Sequence, residues 1–120
     1  EDVGRVVLVQ SEPAFILLAE TGGRAWELVE RAIISSPYTM GGEEREKNLF
    51  VVIEPKKPGF WSKVTPAEKY GVLLEAYGGD QNKTRISITT KKGKQTVERE
   101  DALPVLWALT GELRRIETEQ

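Results

Sequence analysis

Phe60 and Trp61 stand side by side in a stretch, Pro55 to Lys63, that also holds Pro58, Gly59 and the cations Lys56, Lys57 and Lys63. Large rings in an exposed turn anchor protein interfaces, because they bury much area at small entropic cost. The plainer use of such a pair is to tuck one or both rings under the loop and cover a sheet edge. Rings interleaved with lysines can also stack on the bases of a nucleic acid strand. Against that use, 17 basic and 19 acidic residues give a net charge of −2, which supplies no basic face for a phosphate backbone. Phe60, Trp61 and Lys63 are therefore candidates for contact with a protein partner.

The remaining chemistry-bearing residues are sparse. With no cysteine and no histidine, the chain cannot build cysteine or histidine metal sites, Ser–His or Cys–His nucleophile pairs, or imidazole acid–base catalysis. Glu43, Glu44, Arg45, Glu46 and Lys47 form a charged run. Neighbouring carboxylates on a strand point to opposite faces and converge poorly on one cation, so a solvated surface is expected. Gly22-Gly23 ahead of a helix hints at an anion site, but no phosphate-loop or dinucleotide fingerprint accompanies it, and turn geometry explains it better. Nothing places two carboxylates together as an acid–base pair. No catalytic, cofactor or metal-binding residue is assigned, and the expected protein is not an enzyme.

The elements that would position these residues follow from the apolar pattern. Residues 3–10 (VGRVVLVQ) read as a strand or an extended lead-in, and Ala14 to Glu20 has the length of a buried strand. A helix is expected over about 24–35, with Ala25, Leu28, Val29, Ala32 and Ile33 on one stripe and Pro37 beyond its end. Short strands follow at Tyr38–Met40 and Asn48–Glu54, then at Glu68–Tyr77 and Thr84–Thr90, with a last one at Gln95–Val97. A long helix closes the chain over about 102–116. Asp101 would be its N-cap, Pro104 would lie in its first turn, and Ala102, Val105, Leu106, Leu109, Leu113 and Ile116 form its apolar stripe. Two helices with one greasy side each, and strands that bury one face, make an α+β two-layer domain. Its antiparallel sheet of about five to six strands carries both helices on one face. Residues 1–12 would be a lead-in strand or linker, 13–116 the single domain, and 117–120 a frayed tail. Trp107 flanks the seam of the last helix, and Tyr70 lies on the inward face of its strand. Both are candidates for the wall of a groove between helix and sheet.

Three stretches in order resemble the BamC family of outer-membrane lipoproteins. Ala14–Ile33 (AFILLAETGGRAWELVERAI) is similar to the family's strand, turn and R-A-W helix opening. Pro37–Glu54 (PYTMGGEEREKNLFVVIE) is similar to its aromatic-led strand, charged run and apolar strand. Pro58–Lys63 (PGFWSK) is similar to its G-F-F-S-[RK] loop, with Trp61 in place of the second Phe. The charged run more often reads E-D-R-D in the family, and a glycine often stands where Asn48 does. No single motif is specific; the ordered set with matching gaps, covering about Pro13 to Arg115, carries the likeness. It implies a helix-grip fold and an accessory, non-enzymatic scaffold of the β-barrel assembly machinery in the cell envelope, associated with the outer membrane. The partners it implies are protein subunits of that complex. The family's lipidated cysteine, its long N-terminal segment that contacts BamD and its second domain have no counterpart in these residues. Membrane contact would come only through such an anchor. No apolar run approaches the length of a membrane span, no signal peptide is visible, and the domain itself is expected to be monomeric.

Helix-grip sheets can also enclose a cavity. The alternative function is therefore a small-molecule or lipid-binding domain in which Leu106, Leu109 and Leu113 line a pocket. A closed apolar cavity would favour the ligand reading; a filled interior would favour the scaffold.

Overall fold

A computed structural model describes residues 6–55, 68–78 and 80–119, with Asp80, Gln81 and Glu119 described for the backbone alone. Six strands form one antiparallel sheet: β1 (Val6–Val9), β2 (Phe15–Leu18), β3 (Thr39–Glu44), β4 (Leu49–Ile53), β5 (Lys69–Tyr77) and β6 (Asp80–Thr89). Their order across the sheet is β1-β2-β6-β5-β4-β3. Helix α1 (Gly22–Ser35) and helix α2 (Arg99–Glu119) pack on one face of it. The expected two-layer α+β arrangement is what the chain adopts.

Registers show which side chains share that face. Val6, Leu18 and Thr84 align across β1, β2 and β6, and so do Leu8, Ile16, Ile86 and Leu74 as the row extends into β5. Ile88, Val72 and Phe50 form the next row, then Tyr70, Val52 and Met40. Most of these are buried, and they form one core with the helix stripes. The stripe residues Ala25, Leu28, Val29, Ala32 and Ile33 of α1 are inaccessible to solvent. Each fully buried large aliphatic side chain contributes about 1.5–3 kcal/mol relative to exposure, which is why these stripes fix the helices on the sheet. Trp26 joins the core by stacking on Phe50 at 3.9 Å between ring centroids.

Several boundaries differ from the sequence reading, each for a local reason. Helix α1 begins at Gly22 and stops at Ser36, whose hydroxyl and amide both donate to the Ile33 carbonyl, just ahead of Pro37. Helix α2 begins at Arg99, not after Asp101. The Glu98 carbonyl accepts from the amides of Asp101 and Ala102, both at 2.9 Å, and Glu100 and Asp101 place negative charge in the first turn, where the helix dipole favours it. Pro104 consequently lies one turn further in than expected. The helix also continues past Ile116 to Glu119, so residues 117–119 are helical, with the Thr118 hydroxyl donating to the Arg114 carbonyl. Strand β3 runs on through Gly41-Gly42 to Glu44, because β4 offers it a full antiparallel partner, with one break in register between Met40 and Gly42. Strand β6 starts at Asp80. The expected strand at Gln95–Val97 is reduced to a single bridge between Thr96 and Thr89. Val6–Val9 of the lead-in pairs with β2 and belongs to the sheet.

Gly71 shows how tightly one corner is closed. A Cβ atom there would lie 2.5 Å from the Thr90 carbonyl oxygen, against the Thr89 hydroxyl and 3.0 Å from Leu49 Cδ1. The turn after β6, in which Gly93 takes φ +75°, folds onto the same Leu49.

Candidate interaction surface

The side of the sheet away from the helices carries the other half of each strand. Val7, Leu17, Arg85 and Glu75 align across it, and beside them Val9, Phe15, Ser87, Leu73 and Leu49. Val51 and Ile53 lie further along β4 on the same side, opposite Gly42 and Thr39 of β3. A two-layer domain normally turns polar residues outward here. This one turns out aliphatic and aromatic side chains: Val7 is 38% exposed and Tyr77 39%, while Phe15, Leu17, Val51, Ile53 and Leu73 are half-buried. The turn around Gly93 covers one corner, at Leu49.

Near its centre the surface carries one ion pair and no net charge from it. Arg85 Nη2 meets Glu75 Oε1 at 2.8 Å. The Arg85 guanidinium carbon also lies 5.8 Å from the centre of the Phe15 ring, and Phe15 and Tyr77 sit 6.1 Å apart, tilted by 31°. The half-exposed ion pair adds little stability. Its effect is to hold Arg85 beside the aromatic ring with its charge paired, so that the patch presents apolar edges without an uncompensated charge.

Tyr70 lines a cleft of about 520 Å³ at the end of the sheet, between the start of β5 and the start of α2, with Glu68, Lys69, Lys91, Val97 and Asp101 around it. Burial, and then Glu54, push the Tyr70 phenol above its ordinary pKa, with smaller contributions from Asp101, Glu68 and Tyr38. Tyr38 is raised as well, by burial first and by Glu54 second. The cleft thus sets the Tyr70 phenol beside the carboxylates of Glu68 and Asp101, and Lys69 and Lys91 offset part of the charge. The Glu54 amide donates to the Glu68 carbonyl at 2.9 Å, so both stems of the segment that carries Phe60, Trp61 and Lys63 are fixed beside this cleft. Those three candidates themselves lie outside the described residues.

Trp107 does not join Tyr70. It is 53% exposed on the flank of α2 and is not among the described residues that line the cleft at Tyr70. Its position one residue off the apolar stripe turns it past the seam, not into it. Leu106, Leu109 and Leu113 are at most 1% exposed and belong to the packed core, so they fill the space in which the alternative reading placed a pocket.

The other sequence candidates take structural parts. Glu43 and Glu44 end β3, and Arg45–Lys47 form a 3₁₀ turn closed by Asn48 in the left-handed region at φ 55°. Lys47 pairs with Glu44 at 3.2 Å, and the Arg45 guanidinium lies 4.6 Å over the Trp26 ring, roofing the Trp26–Phe50 stack. Among the described residues no group of three carboxylates is placed to hold a metal ion. Gly22 opens α1 beside a cleft of about 410 Å³ that Asn48, Lys83 and Thr84 also line, and the Thr84 hydroxyl donates to the Glu20 carbonyl at 3.0 Å. No described helix is long and apolar enough to cross a membrane.

The apolar outer face was not recognised from the sequence as a site, yet a signal for it exists. Phe15–Leu18 (FILL) and Leu49–Ile53 (LFVVI) contain no polar residue at all. A strand with one wet face should alternate, so an unbroken apolar run in an antiparallel sheet implies that both faces are apolar.

Neither a family model nor a curated protein matches the chain.

Proposed function

We propose that this domain is a non-enzymatic protein–protein interaction module that docks a partner on the open face of its sheet. The observation that carries the reading is the apolar surface built from Val7, Phe15, Leu17, Leu73, Val51 and Tyr77 on a domain whose interior is filled. Contiguous exposed apolar area on a folded domain marks an interaction site. Aromatic rings at its centre supply the anchors that carry most of an interface's energy. The packed leucines of α2 support docking over storage of a small molecule or lipid. The likeness to BamC lipoproteins in three ordered stretches supports the finer reading: an accessory scaffold of outer-membrane β-barrel assembly, acting in the envelope on protein subunits of that complex.

The test is affinity capture of the tagged domain from solubilised envelopes of the source organism, with recovered proteins identified by mass spectrometry. The reading expects barrel-assembly subunits to be recovered, and to be lost when Leu17→Glu and Tyr77→Glu are introduced together. A separate Phe60→Ala/Trp61→Ala variant reports whether the loop shares in docking. Recovery that is indifferent to the sheet substitutions would overturn the docking face. Absence of those subunits from the recovered set would overturn the envelope assignment.

A further inference from the structure

The rim of the sheet holds a contact that docking on the open face leaves unexplained. Strand β1 is an edge strand of four residues, VVLV, with neither charge nor proline. Such an edge is a template for another strand.

Which of its backbone groups point outward follows from the alternation of an antiparallel ladder. The Leu74 amide donates to the Asn48 carbonyl and the Glu54 amide to the Glu68 carbonyl, so even-numbered residues of β5 turn toward β4. Its odd-numbered residues then face β6, where Leu73 meets Ser87 and Glu75 meets Arg85. Even-numbered residues of β6 face the β2 side, in keeping with the Val97 amide donating to the Ile88 carbonyl. Ile16 and Leu18 of β2 are taken by Ile86 and Thr84, which leaves Phe15 and Leu17 to bond Val9 and Val7. Val6 and Leu8 are left with their N–H and C=O groups directed out of the sheet.

Arg114 of α2 reaches one of those groups. It donates to the Val6 carbonyl from Nε at 3.2 Å and from Nη2 at 3.1 Å. We propose that Arg114 guards the β1 edge and keeps the domain from pairing with a second copy of itself through that strand. Two β1 strands that meet antiparallel about Val7 would pair Val6 with Leu8 of the other copy twice. In that register half of the new hydrogen bonds end on a Val6 carbonyl, and Arg114 already occupies each one. Closure would also bring two guanidinium groups into one desolvated seam, where like charges repel strongly. The opposite edge is blunted differently. Strand β3 breaks register between Met40 and Gly42 and ends on Glu43 and Glu44, and both features discourage strand addition.

The test is size-exclusion chromatography with light scattering on the full chain over a range of concentrations. The wild-type chain is expected to run as a monomer. Arg114→Ala is expected to form a dimer whose share grows with concentration, and Arg114→Lys, with a single donor head, to fall between the two. Adding Leu8→Pro to Arg114→Ala removes an outward N–H at a position an edge strand tolerates, and should restore the monomer. Hydrogen exchange at the Leu8 amide should slow in the dimer. Circular dichroism shows whether each variant folds. A folded Arg114→Ala that stays monomeric at every concentration would overturn the proposal, as would a dimer that survives Leu8→Pro or a wild-type chain that already pairs through β1. If Arg114→Ala does not fold, Arg114→Lys carries the same test, and its failure to associate overturns the proposal equally.

Discussion

Truncation of Leu109 is the sharpest probe of the packing described above. Leu109 is 1% exposed on the inward face of α2, while Trp107, two residues earlier, is 53% exposed on the flank. Leu109→Ala removes three carbon-equivalents from the core, about 2.4 kcal/mol at ~0.8 kcal/mol for each. A cavity that fails to collapse raises the loss toward ~5 kcal/mol. A chain of 120 residues has a total stability of about 6–18 kcal/mol. Its unfolding entropy near the melting point is about 0.25 kcal/mol per degree, so a loss of ~3 kcal/mol lowers Tm by about 12 °C. Trp107→Ala removes a larger side chain but should cost less than ~1 kcal/mol, because half of that side chain is already in water. Urea unfolding followed by far-ultraviolet circular dichroism measures both, with the midpoint shifting and the slope unchanged. A cost below ~1 kcal/mol for Leu109→Ala, or a cost for Trp107→Ala as large as that for Leu109→Ala, would refute this placement of the two side chains. Either result would mean that α2 is rotated about its axis relative to the phase argued here.

Gly71→Ala should destabilise by about 2 kcal/mol or more, since its Cβ would press on the Thr90 carbonyl; an unchanged melting curve would show that the corner at Leu49 yields easily. Thr110 is 1% exposed and its hydroxyl has no hydrogen-bond partner among the described residues, so Thr110→Val should raise stability by about 1 kcal/mol, and a loss instead would mean that the hydroxyl is satisfied. Tyr38 and Tyr70 hold their protons above the ordinary phenol value of 10.0 in the folded state. Between that value and their folded values the unfolded chain binds fewer protons, so stability is present below pH 10.0 and falls as pH rises through the folded values. Tyrosinate absorbance should therefore appear later in the native protein than in urea, and Glu54→Gln should bring it earlier, though not fully, because burial is the larger cause. Coincident native and denatured titrations would refute the assignment. Arg45→Ala should weaken the roof over Trp26 by about 0.5–1 kcal/mol, read from urea unfolding, and no change would show that the contact contributes nothing.

Element types and the two-layer class were legible because they depend on local periodicity. The stripes of α1 and α2 repeat at helical spacing, and Val72, Leu74, Ile86 and Ile88 alternate at strand spacing, so burial of one face follows from each segment alone. Helix ends were less legible. The start of α2 depends on the Glu98 carbonyl, and the four consecutive charged residues Glu98, Arg99, Glu100 and Asp101 offer no unique choice of first residue. The outer face of the sheet was written in the unbroken apolar runs of β2 and β4, but pattern alone does not distinguish a strand covered on both sides from one left open on one.

Sequence alone determined the composition of the interior, the absence of imidazole and thiol chemistry, and the pairing of two amphipathic helices with an antiparallel sheet. All of these are properties of single segments or of the residue inventory. Tertiary structure decided everything that requires two distant segments to meet. It placed Arg85 of β6 over Phe15 of β2, left Trp107 exposed on α2, and set Arg114 on the Val6 carbonyl 108 residues earlier. No periodicity encodes these contacts. They arise from the order of strands in the sheet and the rotation of α2 over it, which the whole core settles together.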